Sequence, residues 1–138
     1  MNVPSSAAVG SALYSHPMPA VVAFMDDLMF LSRVREAARA PGVQVRPARR
    51  LEELLAACRP APEAVFVDLD STRLPTAEAL AALRSDAALA TVPVVGFVSH
   101  VNADRAREAR EAGCSRVMAR SAFVEELPAL LAAAASAR

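Results

Sequence analysis

The sequence predicts an α/β fold, a parallel sheet covered by helices on both faces. Three observations predict it. Short apolar runs at 20–25, 64–69 and 92–98 have the composition of strands buried on both sides. Segments of helical periodicity separate them. Strand-like and helix-like segments alternate five times within 138 residues, a length that suits one domain with a real core and not two.

Residues 1–19 are rich in Ser, Ala and Pro without periodicity, and are expected to form a flexible N-terminal arm, leaving residues 20–138 as the folded domain. The arm has no basic leading region and no continuous apolar core, so it is not read as a signal peptide. The first strand, Ala20–Met25, ends in Asp26-Asp27. A helix from Met29 to Ala40 carries Leu31, Val34 and Ala38 on one face, and Pro41-Gly42 stops it. Val43–Arg46 alternates as a strand near the sheet edge. Leu51–Cys58 is a second amphipathic helix. The central strand, Ala64–Leu69, is followed by a loop over 70–75, and Thr76 is placed to cap a helix through Arg84. A fourth strand covers Val92–Val98, with Pro93 tolerable near its start. Asn102 caps a fourth helix that Gly113 stops, Arg116–Ala119 is a brief fifth strand, and a last helix carries Leu127, Leu130 and Leu131. Pro128 must lie in that helix's first turn or kink it. Five such units are solved by a flavodoxin-like sheet of order 2-1-3-4-5.

Composition sets further bounds. Fifteen basic residues, all Arg, balance fifteen acidic ones, so no general attraction to nucleic acid or to an anionic membrane is expected. No run approaches the ~18 apolar residues of a membrane span, which makes a cytoplasmic location the default. Cys58 and Cys114 are far apart and form no cluster with His16 or His100, so they read as buried thiols rather than as a disulfide or zinc site.

The chemistry gathers on acids. In the 2-1-3-4-5 order, strands 1 and 3 are neighbours at the switch point, where ligands bind in open parallel sheets. Asp26, Asp27 and Asp68 would then converge at their carboxyl ends. Converging carboxylates repel and require a cation, a proton or an Arg neighbour. Mg²⁺ suits an open, all-oxygen site, and an Asp beside it can act as a nucleophile toward a phosphoryl group. Alternatively, these acids solvate strand ends and cap helices.

With these residues the chain resembles a bacterial response-regulator receiver domain, of the chemotaxis-regulator kind, over residues 20–138. The acidic pair matches Asp26-Asp27, Arg33 sits where the first helix often carries Arg, and Pro62–Asp68 matches the third strand. Glu78, Leu80, Leu83 and Arg84 follow without a gap, as do Val92-Pro93-Val94-Val95 and Glu111-Ala112-Gly113. The resemblance implies Asp68 as phosphoacceptor, Mg²⁺ held by Asp26, Asp27 and Asp68, Arg120 as counter-charge, and a histidine kinase or downstream effector as protein partner, in a signalling protein rather than an enzyme.

The departures fall on the working parts. Where the family carries Thr or Ser after strand 4, this chain has Val98, with Ser99 one place later. Lys-Pro after strand 5 is Arg120-Ser121, and the aromatic of strand 5 is Val117. The Pro and Gly of the loop after the acceptor are Thr72 and Thr76. Asp70 falls where the family offers a backbone carbonyl to the metal. The usually polar loop after the acidic pair reads Leu28-Met29-Phe30-Leu31, a lid, a core element or a partner patch. His100 beside Ser99 is either a solvent-facing loop residue or a pH-sensitive anion contact.

Two functions follow. One is a stand-alone, atypical receiver phosphorylated at Asp68. The other is a phosphorylation-independent pseudo-receiver that serves as a protein–protein interaction module, through the last helix or the Leu28–Phe30 patch. A homodimer through the last helices is open to both. A flavodoxin-like small-molecule binder lacks its phosphate cradle after strand 1.

Overall fold

A computed structural model describes residues 18–137; the expected N-terminal arm therefore lies almost wholly outside the described residues. Five strands alternate with five helices: β1 (Ala20–Phe24), α1 (Leu28–Arg39), β2 (Gln44–Ala48), α2 (Leu51–Ala57), β3 (Ala64–Asp68), α3 (Thr76–Ser85), β4 (Val94–Val98), α4 (Ala103–Ala112), β5 (Arg116–Ala119) and α5 (Arg120–Ser136). The strands form one parallel sheet of order β2-β1-β3-β4-β5, as the alternation predicts.

The side-chain period of two divides each central strand between two cores. Val22, Phe24, Val65, Val67, Leu69, Val94 and Val98 pack with Leu54, Leu80, Leu83 and Ala109, beneath α2, α3 and α4. Val21, Ala23, Phe66, Val95 and Phe97 pack with Phe30, Val34, Phe123, Leu127 and Leu131, beneath α1 and α5. The second core is aromatic. Phe97 and Phe123 stack at 4.6 Å, Phe66 meets Phe123 edge-on at 5.1 Å, and Phe30 lies 4.9 Å from Phe97. Each fully buried Phe contributes about 1.5–3 kcal/mol by area, so this cluster is the principal anchor of the α1/α5 face.

Local rules explain most boundaries. Asn102 caps α4 by accepting from the Arg105 amide, and Gly113, at φ 136°, closes that helix through bonds to Ala109 and Arg110. Two expectations are corrected, and the position of Pro128 is settled. β2 runs on to Ala48 through Pro47, because an edge strand that pairs only with β1 tolerates a missing N–H. Thr76 is the first residue of α3 rather than its cap, since its hydroxyl donates to the Leu74 carbonyl. Pro128 sits well inside α5, beyond its first turn. It is exposed there, so the missing N–H falls on the solvent side.

Candidate functional site: an acid pocket closed by an arginine

Asp68 is the last residue of β3, on the α1/α5 side of the sheet with Phe66. It is 3% exposed, the one buried charged residue among those described. Its Oδ1 accepts the Asp70 backbone N–H at 2.9 Å, and its Oδ2 accepts from Arg120 Nη2 at 3.2 Å. Burial pushes the carboxyl above the usual aspartate range; the Asp70 amide and Arg120 pull it back, while the charges of Asp70 and Asp26 push with burial.

Arg120 comes directly after β5, which delivers its side chain over the end of the sheet. Besides Asp68, its Nη1 lies 3.7 Å from Asp27 Oδ2. Its Cζ stands 4.4 Å from the Phe30 ring centroid and 5.2 Å from that of Phe97. A planar fork that meets two carboxylates at its edge and two rings at its face uses what distinguishes Arg from Lys.

Asp27 is committed elsewhere as well. It is the N-cap of α1, its Oδ1 accepting from the amides of Met29 and Phe30 at 3.0 Å each. The reason is local: Leu28, Met29, Phe30 and Leu31 offer no other oxygen to satisfy the first turn. The helix therefore starts at Leu28, one residue before the expected start. The same geometry divides the expected partner patch. Leu28 and Met29 are 65% and 84% exposed, whereas Phe30 is buried in the aromatic cluster and belongs to the core.

Asp26 is partly buried and meets Arg73 Nε at 3.6 Å from outside. Asp70 turns its carboxylate to the β4–α4 loop, where Oδ2 accepts both the amide and the hydroxyl of Ser99 at 2.7 Å. Arg105 Nη2 donates to the Leu69 carbonyl at 2.6 Å, a second tie from α4 to the same corner. Val98 is fully buried under α2–α4, on the opposite face from Asp68, and Val117 packs against that same core. Neither side chain reaches the acid pocket. His100 is exposed. Arg73 and Arg105 are the site residues that sequence reasoning missed. They lie in a loop and on a charged helix face, both exposed, and no periodicity marks which of fifteen arginines reaches this corner.

An open cleft of about 710 Å³ adjoins the pocket, lined by Asp27, Met29, Phe30, Arg33, Ser99 and Arg120 among others. The oxygen donors have the chemistry for a divalent cation, but their arrangement does not fit one. Among the described residues no three acidic, His or Cys side chains stand together as ligands. Asp27 gives one oxygen to α1, and a guanidinium contacts both Asp27 and Asp68. Both thiols are buried away from this site, with Cys58 and Cys114 each pushed up to about 11 by burial. No helix among the described residues is long and apolar enough to cross a membrane.

No protein-family model matches the sequence, and no curated protein does. Solved structures match the fold. A response regulator from Hahella chejuensis superposes with a TM-score of 0.75 at 18% identity, over 86% of this chain and 96% of that one. The chemotaxis response regulator CheY4 of Vibrio cholerae gives 0.72 at 19% identity, over 85% and 98%. The Mn²⁺-bound form of response regulator Rcp1 gives 0.65 at 17% identity, over 83% and 90%. The fold is that of response-regulator receiver domains.

Proposed function

We propose that the chain is a receiver-type signalling module that acts through a protein partner, with its acid pocket held in one state rather than switched by phosphorylation. The observation that carries this reading is Arg120, whose guanidinium contacts Asp68 and Asp27 together and rests on Phe30 and Phe97. An acid so engaged offers a phosphodonor no free, metal-lined approach. The step after modification lacks its parts too: Val98 faces the other core, Val117 is small and aliphatic, and the Ser99 hydroxyl is already bound to Asp70. The partner surface would include Leu28 and Met29 and the outer side of α5, with a kinase, an effector or a second copy as the partner classes and the cytoplasm as the setting.

A second reading keeps Asp68 as a phosphoacceptor. Its place at the carboxyl end of β3, with Asp26 near enough for their charges to interact, favours it. That reading requires Asp27 to release α1 and Arg120 to release Asp68. Purified protein incubated with Mg²⁺ and acetyl phosphate, then weighed intact, separates the two. The proposed function predicts an unmodified mass. A phosphoryl adduct on the wild type that is absent from Asp68→Asn favours the second reading.

A further inference from the structure

We propose that Arg120 is the resident counter-cation of the acid pocket, its guanidinium bridging Asp27 and Asp68 so that the folded protein neither needs nor admits a divalent ion there. This deepens the functional reading above and rests on it only for the identity of the pocket.

The geometry is specific. Any ion shared by Asp27 Oδ2 and Asp68 Oδ2 would have to lie between them, and the guanidinium already reaches both, at 3.7 and 3.2 Å. The two other carboxylates of this corner have partners of their own: Asp26 faces Arg73, and Asp70 holds Ser99. These contacts are unequal. Arg73 is 86% exposed on its side chain, so its pairing with Asp26 is screened and weak. Asp68 is nearly inaccessible, and leaving a buried carboxylate without its cation is the expensive case.

Position argues the same way. Arg120 opens α5, where the positive end of the helix dipole disfavours a cation. Its placement there needs compensation, which the two acids and the two aromatic faces supply. A lysine ammonium reaching the same point would be a single point charge without a flat face for Phe30 and Phe97. The ring contacts also fix the side chain, and fixation is what would make the pairing resist displacement by a hydrated ion, which sheds its water reluctantly.

The test uses the full chain and Mg²⁺ alone, with NaCl matched for ionic strength. Thermal midpoints are measured for the wild type, Arg120→Gln, Asp68→Asn and the double variant, from zero to several millimolar Mg²⁺. The wild-type midpoint should not move with Mg²⁺. Arg120→Gln should fall by several degrees and regain part of that loss when Mg²⁺ is added or when Asp68→Asn is combined with it. A wild-type midpoint that rises with Mg²⁺, and does so only while Asp68 is present, overturns the proposal. So does an Arg120→Gln protein as stable as the wild type. Should Arg120→Gln fail to fold, the wild-type titration and recovery of folding in the double variant still decide the matter. Mg²⁺ binding without modification by acetyl phosphate overturns this inference and leaves the proposed function standing, whereas phosphorylation of Asp68 overturns the proposed function itself.

Discussion

Asp70 holds Ser99 by two hydrogen bonds to one carboxylate oxygen, from the amide and from the hydroxyl, each 2.7 Å long. Its own amide meanwhile donates to Asp68 at 2.9 Å. The β3 end and the β4–α4 loop are thereby tied through a single residue. The Ser99 hydroxyl is anchored to Asp70.

Breaking that tie should loosen the loop more than the fold. Asp70→Asn and Ser99→Ala should each cost about 1 kcal/mol, since the bonds are solvent-accessible. Together they should lose less than the sum of the two. Hydrogen exchange should rise at residues 99–102 and stay unchanged in β1 and β3. Equal protection of the loop in both variants would show that Arg105 alone holds it.

Phe30 and Met29 are neighbours in sequence and opposites in role. Phe30→Ala removes a ring from the cluster of Phe97, Phe123 and Arg120, and should cost about 3–5 kcal/mol in urea unfolding. Met29→Ser, at an 84% exposed position, should stay within about 0.5 kcal/mol of the wild type. If the surface beside the pocket docks a partner, Met29→Ser weakens that binding without touching stability.

Gly96 is required by closeness rather than by backbone angle. A Cβ there would stand 2.6 Å from Leu69 Cδ1 and 3.0 Å from Cys114 Sγ. Gly96→Ala should therefore destabilise by about 1–3 kcal/mol. Pairing it with Leu69→Ala should give less loss than the two changes added, because the smaller side chain vacates the clash.

The pH dependence has a definite sign. Burial raises the Asp68 carboxyl above the ordinary aspartate value of 3.8, so the folded protein holds this proton more tightly than the unfolded chain does. The resulting contribution to stability is fully present below about pH 3.8 and is lost as pH rises through the higher folded value. Urea unfolding across that window should show the wild type losing stability relative to Asp68→Asn as pH increases. Parallel curves for the two proteins would contradict the assigned burial effect.

Much of the architecture was legible in the sequence because it depends on period and punctuation. Buried parallel strands read as unbroken apolar runs, and Gly113 and Asn102 mark helix ends by their chemistry alone. The site was legible only as a list of acids. Asp27 was seen, but its capping duty depends on the absence of any other oxygen in Leu28–Leu31. The run Leu28–Leu31 leaves open which of its residues is core and which is patch, because the burial of Phe30 depends on Phe97 and Phe123, far away in sequence. Strand alternation accounts for Val98 facing the core under α2–α4; that Ser99 is bound by Asp70 is a matter of loop geometry, which no pattern encodes.

The central claim is that Arg120 holds the cation position between Asp27 and Asp68 and that the pocket does not switch. The most direct measurement is the ¹H–¹⁵N spectrum of the wild type with and without Mg²⁺ and beryllofluoride, a phosphoryl mimic. The account predicts superimposable spectra at Asp68, Asp70, Ser99 and Arg120. Saturable shifts centred on these residues, and absent from Asp68→Asn, would contradict it.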